Sequence, residues 1–255
     1  AGKDYWRMSR AVGDSGTIVV LTGAGISAES GIDTFRDKCG IWERNRIEDV
    51  ATPEAFAKDP VRVHEFYNAR RRALGAPDIQ PNAAHDTLAL LEGQMPGRVL
   101  IVTQNIDDLH EQAGSQNLIH MHGELRKARC GACGDVRPQL DDLGPDAVCA
   151  NCESRGAMRP HVVWFGEMPL EQDRIAVALD ACALFISIGT SGSVYPAAGF
   201  VHDVRMLGRA HTVELSLEPS LGESLFEERH YGQASQIVPL FIDRLLAGET
   251  NFGPS

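Results

Sequence analysis

The run Val19-Val20-Leu21-Thr22-Gly23-Ala24-Gly25-Ile26-Ser27-Ala28-Glu29-Ser30-Gly31 constrains this chain more than any other stretch. An apolar β-branched segment, Thr17 to Leu21, stops at Thr22 and gives way at once to Gly-Ala-Gly. Glycines at 23 and 25 let the backbone turn tightly and let a ligand approach without a Cβ in the way. A helix beginning there presents free N–H groups and its positive dipole end to a phosphate. Gly23-x-Gly25-x-x-Ala28 fits the dinucleotide fingerprint in its loose form, and a ligand-free glycine-rich turn fits it equally. The continuation is unusual. A dehydrogenase runs on to a second strand closing with Asp or Glu about 20 residues later, which holds the ribose. Here Ile32-Asp33-Thr34-Phe35-Arg36-Asp37-Lys38-Cys39-Gly40-Ile41-Trp42 shows no strand pattern. A dinucleotide ligand is expected; a hydride-transfer site is not.

The chain has 255 residues, enough for one large domain or two smaller ones. Its net charge of −11 argues against a nucleic-acid or anionic-membrane surface. Arg70-Arg71-Arg72 then reads as one face of a helix. No apolar run reaches the length of a membrane span and no leader-like segment opens the sequence, so the cytoplasm is the expected compartment. Ala1 to Asp14 is polar and reads as a frayed tail.

Thr52-Pro53-Glu54 signals a helix start, and Asp59-Pro60 opens a longer helix ending near Gly75. Asn82 to Leu91 is another, with Pro81 before it. Arg98 to Thr103 suits a parallel strand buried on both faces, which puts Gln104-Asn105-Ile106-Asp107 at its carboxyl end, where open α/β sheets bind ligands. Asp108 to Ala113 is helical with Gly114 as its stop. Further strands are expected at Asn117–His122 (ended by Gly123), Ala183–Ile188, His211–Leu217 and Gln236–Val238, the last before a helix from Pro239 to Leu246. Strands alternating with helices give a parallel α/β sheet with helices on both faces.

Residues 126–160 differ in kind, with four cysteines and little periodicity, and read as an inserted module with its own core. Cys130-Gly-Ala-Cys133 and Cys149-Ala-Asn-Cys152 are C-x-x-C pairs with the spacing of a zinc ribbon. Four thiolates close a tetrahedral site with no vacancy, so such a zinc is structural. Two disulfides or a redox C-x-x-C are the competing readings, disfavoured by the absence of any sign of secretion. Cys182 reads as a small apolar core residue and Cys39 as a thiol beside the glycine-rich loop.

Taken together, Gly23–Gly31, Thr103-Gln-Asn-Ile-Asp107, His122-Gly123, the two C-x-x-C pairs and Gly189-Thr-Ser191 resemble, in order, the motifs of the sirtuins. These are NAD-dependent protein-lysine deacylases. The resemblance runs from about Ile18 to Leu246. It implies a Rossmann-like large domain (15–37, 79–125 and 166–250) and a small domain of a helical insertion (38–78) and the zinc module (126–165). It assigns to NAD the turn Gly23, Ala24, Gly25, Ser27 and Glu29, and a cofactor loop with Thr34, Phe35, Arg36 and Trp42. Gln104, Asn105, Ile106 and Asp107 match residues around the nicotinamide and its ribose. Gly189, Thr190 and Ser191 match the far side of the site, and Ser216, Leu217, Glu218 and Ala234 positions near the adenosine. Asn105 and His122 are the catalytic candidates. Cleaving the nicotinamide–ribose bond requires a base for a ribose hydroxyl, which a histidine titrating near neutrality suits. Alternation places His120 on the same face as His122, so only the His-Gly match separates them. Arg159 to Glu167 resembles the segment that pairs with substrate as a strand, with Val162 and Phe165 against the acyl-lysine.

Tyr67 and Arg70 lie three apart on the helix expected from Pro60 and share a face. A phenol beside a guanidinium makes a carboxylate site. This Tyr-x-x-Arg resembles the pair marking sirtuins active on succinyl-, malonyl- and glutaryl-lysine, with acetyl removal alongside; a packed Tyr and a surface Arg is the plainer reading. Asp33 stands where many members have Pro, Ser216 where Asn is usual, and Asp37-Lys38-Cys39 is more charged than expected. The expected partners are acyl-lysine proteins or peptides, without nucleic acid or membrane; the oligomeric state is open, and a monomer is compatible with the sequence. The rival functions are an NAD glycohydrolase or ADP-ribosyltransferase, and a non-catalytic NAD sensor with a zinc module.

Overall fold

The β-branched run before the glycines forms the central strand of the molecule, β1 (Thr17–Thr22), in a computed structural model that describes residues 16–33 and 46–248. The expectations for Ala1–Asp14, Thr34, Phe35, Arg36, Asp37-Lys38-Cys39 and Trp42 fall outside those residues. The short helices α1 (Ile47–Val50) and α2 (Pro53–Lys58) precede the long α3 (Pro60–Leu74) and α4 (Ala83–Gln94). Next come β2 (Val99–Thr103), α5 (Leu109–Gln112), β3 (Leu118–His120), β4 (Gly123–Cys130), β5 (Val136–Pro138) and β6 (Met158–Val162). The chain closes through α6 (Gln172–Asp180), β7 (Cys182–Ile188), α7 (Phe200–Leu207), β8 (His211–Ser216), β9 (Glu228–Tyr231) and α8 (Ala234–Leu246).

Six strands form one sheet in the order β3-β2-β1-β7-β8-β9, every pair parallel. The order reverses direction between β1 and β7, which makes the carboxyl ends of those two strands the topological switch point. Successive β1 side chains go to opposite faces. Ile18 and Val20 pack with α4 and α8, while Val19 and Leu21 pack with α6 and α7. This is the two-sided burial that the unbroken apolar runs of β1 and β2 imply. Cys182 lies in the second of these cores, 3 % exposed.

Residues β4, β5 and β6 make a separate antiparallel sheet in the order β5-β4-β6, with a small core of Ala128, Cys130, Leu143, Cys149 and Met158. A further cluster joins that module to the helical insertion: Val63, Phe66 and Tyr67 of α3 pack with Leu125, Val162 and Trp164. Helix capping follows the sequence signals. The Thr52 hydroxyl accepts from Ala55 N–H at 3.1 Å, and Asp59 from Arg62 N–H at 3.0 Å.

Three expectations fail. No α-helix opens after Gly23; two 3-10 turns, Ala24–Ile26 and Ala28–Ser30, are separated by Ser27 and closed by Gly31 at φ +86. No long-helix dipole therefore faces the switch point. Gln236–Val238 is helical. Ala234, Val238, Phe241, Ile242 and Leu245 recur at helical spacing and bury against α4, so α8 carries Pro239 within it. The sixth strand is Glu228–Tyr231 instead. Finally, Gly123 starts β4 and does not end β3. At φ +82 its Cβ would run into the His161 carbonyl, so the approach of β6 requires glycine there.

Candidate active site

Gly23 and Gly25 meet another stretch of main chain. A Cβ on Gly25 would lie 2.7 Å from the Gly189 Cα, and Gly189, at φ +60, would meet Gly25 in the same way. Gly25 N–H donates to the Gly189 carbonyl at 2.9 Å. The glycines thus let the turns after β1 and β7 press together at the switch point, a demand the fingerprint alone did not reveal.

Beneath that junction lies a buried polar network. Asn105 Nδ2 donates to the Gly23 carbonyl at 3.1 Å and to Ser27 Oγ at 3.2 Å, and Ser27 Oγ donates to Asp107 Oδ2 at 3.1 Å. Asp107 Oδ1 also accepts from Leu109 N–H. Burial pushes the Asp107 carboxyl up to about 6, against these hydrogen bonds. Ser27, Asn105 and Asp107 thereby converge, as the motifs imply. Gln104 N–H donates to the Thr22 carbonyl at 2.9 Å. Ile106 sits under this layer, packed on the α3 cluster.

Asn82, read from sequence only as a helix start, also anchors the glycine-rich turn. Its Nδ2 donates to the Ile26 carbonyl at 2.8 Å and to Ser30 Oγ at 3.0 Å, while its side-chain oxygen caps α4. The cap was legible; its second role depends on a contact 56 residues away in the chain.

Two histidines flank the loop between β2 and α5. His122 Nδ1 lies 3.1 Å from the Gln104 carbonyl. A carbonyl only accepts, so Nδ1 carries the proton and Nε2 is left as a lone-pair acceptor. Burial lowers the His122 pKa, partly opposed by that carbonyl, which keeps the ring neutral. His120 is bound on both sides: Nδ1 to the Asn105 carbonyl at 3.0 Å and Nε2 to the Glu111 carboxylate at 2.8 Å. Both partners accept, so both nitrogens must donate and the ring is an imidazolium. Burial opposes that charge, but the Glu111 pair outweighs it and the pKa is raised. Only His122 is free to take up a proton.

On the other side of the junction, Thr190 is buried with its hydroxyl 2.8 Å from Ser187 Oγ, and Ser191 follows at the loop mouth. Ser216 ends β8, buried, and Leu217 and Glu218 are exposed beyond it. Ala234 turns its side chain into the main core. The Glu29 carboxylate is engaged by Ser235 N–H and Oγ, where it caps α8.

In the α3 region, Tyr67 is buried and accepts a hydrogen bond from Trp164 Nε1 at 3.0 Å. Arg70 lies one turn further, its guanidinium 5.1 Å from the Phe66 ring centre. Burial lowers the Arg70 pKa, while Tyr67 and Asp33 support its charge. The two side chains share a face, as expected. Val163 N–H donates to the His122 carbonyl and Phe165 N–H to the Ala51 carbonyl, so this segment spans from the histidine to the helical insertion. Val162 is buried and Phe165 half-exposed.

In the cysteine module, Cys130 Sγ lies 3.7 Å from Cys152 Sγ and Cys133 Sγ 3.7 Å from Cys149 Sγ. All four sulfurs fall within 4.8 Å of one another. A tetrahedron of Zn–S bonds of about 2.3 Å has edges of about 3.8 Å, whereas a disulfide requires about 2.05 Å. The sulfurs are set for one zinc ion. Asn151 N–H and Nδ2 and Arg137 Nη2 approach the sulfurs at 3.4–3.6 Å and offset thiolate charge.

A parallel sheet whose switch point is built from two glycine turns, with a four-cysteine zinc ribbon inserted, defines a nucleotide-binding α/β protein with a structural metal. Within that class the chain belongs to the Sir2 family, whose model matches residues 23–196. It is similar to the NAD-dependent protein deacylase of Salmonella typhimurium (60 % identical over 231 residues, 91 % of this chain and 84 % of that protein). The protein of the same description from Vibrio vulnificus is 60 % identical over 230 residues, covering 90 % and 94 % of the two chains. Among solved structures, a Sir2 homologue in complex with NAD matches with TM-score 0.81 at 37 % identity, covering 94 % of this chain and 93 % of that one.

Proposed function

We propose that the protein removes acyl groups from protein lysines with consumption of NAD, giving nicotinamide, O-acyl-ADP-ribose and free lysine. Relatives described as NAD-dependent protein deacylases support this, at 60 % identity across nine-tenths of the chain. The observation that carries it is the fixed tautomer of His122, whose Nδ1 is held by the Gln104 carbonyl.

The residues that hold NAD on this reading are those of the Gly23–Ser27 turn, Gln104 to Asp107, Gly189 to Ser191 and the end of β8. Their fit rests on the glycine-to-glycine junction, which brings the turns after β1 and β7 together at the switch point. When bound, NAD supplies a ribose carbon that becomes electrophilic as nicotinamide leaves. Asn105 and Asp107 orient polar groups beneath that position through Ser27. His122 Nε2 accepts a proton from a ribose hydroxyl, which a neutral ring does at physiological pH. The two insertions act as the small domain, and the acyl-lysine enters between Val162 and Phe165, beside Tyr67.

Tyr67 and Arg70 select acyl chains ending in a carboxylate, so succinyl- and malonyl-lysine are substrates with acetyl-lysine alongside. No helix among the described residues is long and apolar enough to cross a membrane. The test is incubation with NAD and matched acetyl- and succinyl-lysine peptides, with products resolved by mass. Free-lysine peptide with O-acyl-ADP-ribose supports deacylation; nicotinamide release with intact peptide would establish a glycohydrolase. Unchanged selectivity in a Tyr67→Phe/Arg70→Met variant would remove the acidic-acyl pocket.

A further inference from the structure

The Tyr67 hydroxyl carries one proton and two lone pairs. Trp164 Nε1–H, which only donates, fills one lone pair at 3.0 Å with both side chains buried. The phenol proton therefore points away from the indole and is available for donation to a further partner. Burial pushes the Tyr67 pKa up to about 12, so that proton stays on oxygen across the neutral range. Arg70, the second donor of the pair, sits on the same face of α3, and Phe66 packs edge-on to Tyr67 with ring centres 5.0 Å apart.

Trp164 is itself held on three sides. Its backbone N–H donates to Glu167 Oε2 at 2.8 Å. The Arg159 guanidinium lies 3.3 Å from the indole centre and is bound to both Glu167 oxygens and to the Val162 carbonyl. Phe56 packs against the indole at 5.3 Å. A cation over the ring draws electron density from it and strengthens its N–H as a donor.

We propose that Trp164 is a specificity-determining positioning residue, whose indole N–H occupies one lone pair of the Tyr67 hydroxyl and so turns its proton towards a carboxylate-terminated acyl chain. The inference rests on the reading of Tyr67 and Arg70 as the acyl pocket. A succinyl or malonyl carboxylate accepts that proton; an acetyl methyl offers it nothing. With phenylalanine at 164 the ring packing is largely kept, but both lone pairs open and the hydroxyl is free to turn round. Because Trp164 lies on the segment tied to the His122 carbonyl, the substrate strand and the acyl pocket share this one side chain.

The experiment is steady-state kinetics of Trp164→Phe, Tyr67→Phe and the double variant on succinyl- and acetyl-lysine forms of one peptide. Trp164→Phe is expected to lower the succinyl-to-acetyl ratio of kcat/KM about tenfold, through the succinyl KM, with kcat retained. In the Tyr67→Phe background the same change is expected to leave the ratio within twofold. β-(3-Benzothienyl)alanine at 164 replaces the N–H by sulfur at nearly constant shape, and gives the same result even if the phenylalanine variant folds poorly. A ratio unmoved by Trp164→Phe while Tyr67→Phe lowers it overturns the proposal and leaves the pocket intact. An equal drop with and without the Tyr67 hydroxyl, or a loss of kcat on both substrates alike, also overturns it. A ratio unmoved by Tyr67→Phe removes the pocket and the proposal together.

Discussion

His120 and His122 are two residues apart and end in opposite protonation states because of what each ring nitrogen faces. The consequence is a pH profile to which His122 contributes alongside the Asp107 carboxyl. The His122 pKa is lowered by burial, so its limb of the kcat/KM profile should have a midpoint below the ordinary histidine value of 6.5. A midpoint above that value would exclude a buried, neutral His122 as the base. Asp107 carries the opposite kind of cost. With its carboxyl raised to about 6 by burial, it is ionised at neutral pH in a place that disfavours the charge. Asp107→Asn should therefore raise the unfolding free energy at pH 7 by about 1–2 kcal/mol while lowering turnover, as measured by urea unfolding alongside kinetics. Asp33, two residues after Gly31, supports the charge of Arg70. Asp33→Asn is expected to lower the succinyl-peptide KM about twofold, with no change for acetyl-lysine.

Among the elements, the cysteine module is tied to α3 by a reciprocal clamp. Asn68 Nδ2 donates to the Leu143 carbonyl and Asn68 Oδ1 accepts Leu143 N–H, both at 2.9 Å. Arg71 Nη1 adds to the same Asn68 oxygen at 2.7 Å, and its Nε reaches the Leu125 carbonyl. Asn68→Ala strands these buried groups and should cost about 2–3 kcal/mol, read by denaturant unfolding. Chelation of the zinc should loosen the same clamp and lower succinyl turnover, restored by added zinc. Elements with strong local signals were legible in the sequence: the apolar runs of β1 and β2, and the Thr52, Asp59 and Asn82 caps. β9 was not, because Glu228–Tyr231 alternates half-buried with exposed residues at a sheet edge and has no apolar run. Gln236–Val238 misled because its β-branched pair resembles a strand until packing against α4 is known. In the site, the motif residues Ser27, Asn105 and Asp107 could be read from the chain, whereas the Trp164–Tyr67 bond joins side chains 97 residues apart and leaves no local trace.

The whole molecule withholds protons from several buried histidines. Burial holds His64 and His85 down to about 4, and His110 well below its ordinary value. The unfolded chain binds these protons near pH 6.5 while the folded protein refuses them, so stability is lost as pH falls from about 6.5 towards 4. His64 and His85, held down to about 4, each contribute on the order of 3 kcal/mol across that range. Asp107 and His120, whose pKa values are raised, work in the opposite sense, against the lowered His64, His85, His110, His122 and His161. Calorimetry should show the unfolding midpoint falling steadily below pH 6.5; a flat midpoint down to pH 4.5 would contradict burial of neutral rings.

The contact between Gly25 and Gly189 also governs when, during synthesis, the site comes into being. β1 emerges from the ribosome early, but its neighbour β7 is encoded some 160 residues later. Until Gly189 has left the exit tunnel, the nucleotide turn lacks the main chain it packs against, and β1 has an unpaired edge. The nascent chain is thus obliged to complete its zinc ribbon before its nucleotide-binding turn, and an arrested product ending before residue 182 should bind zinc yet fail to retain NAD.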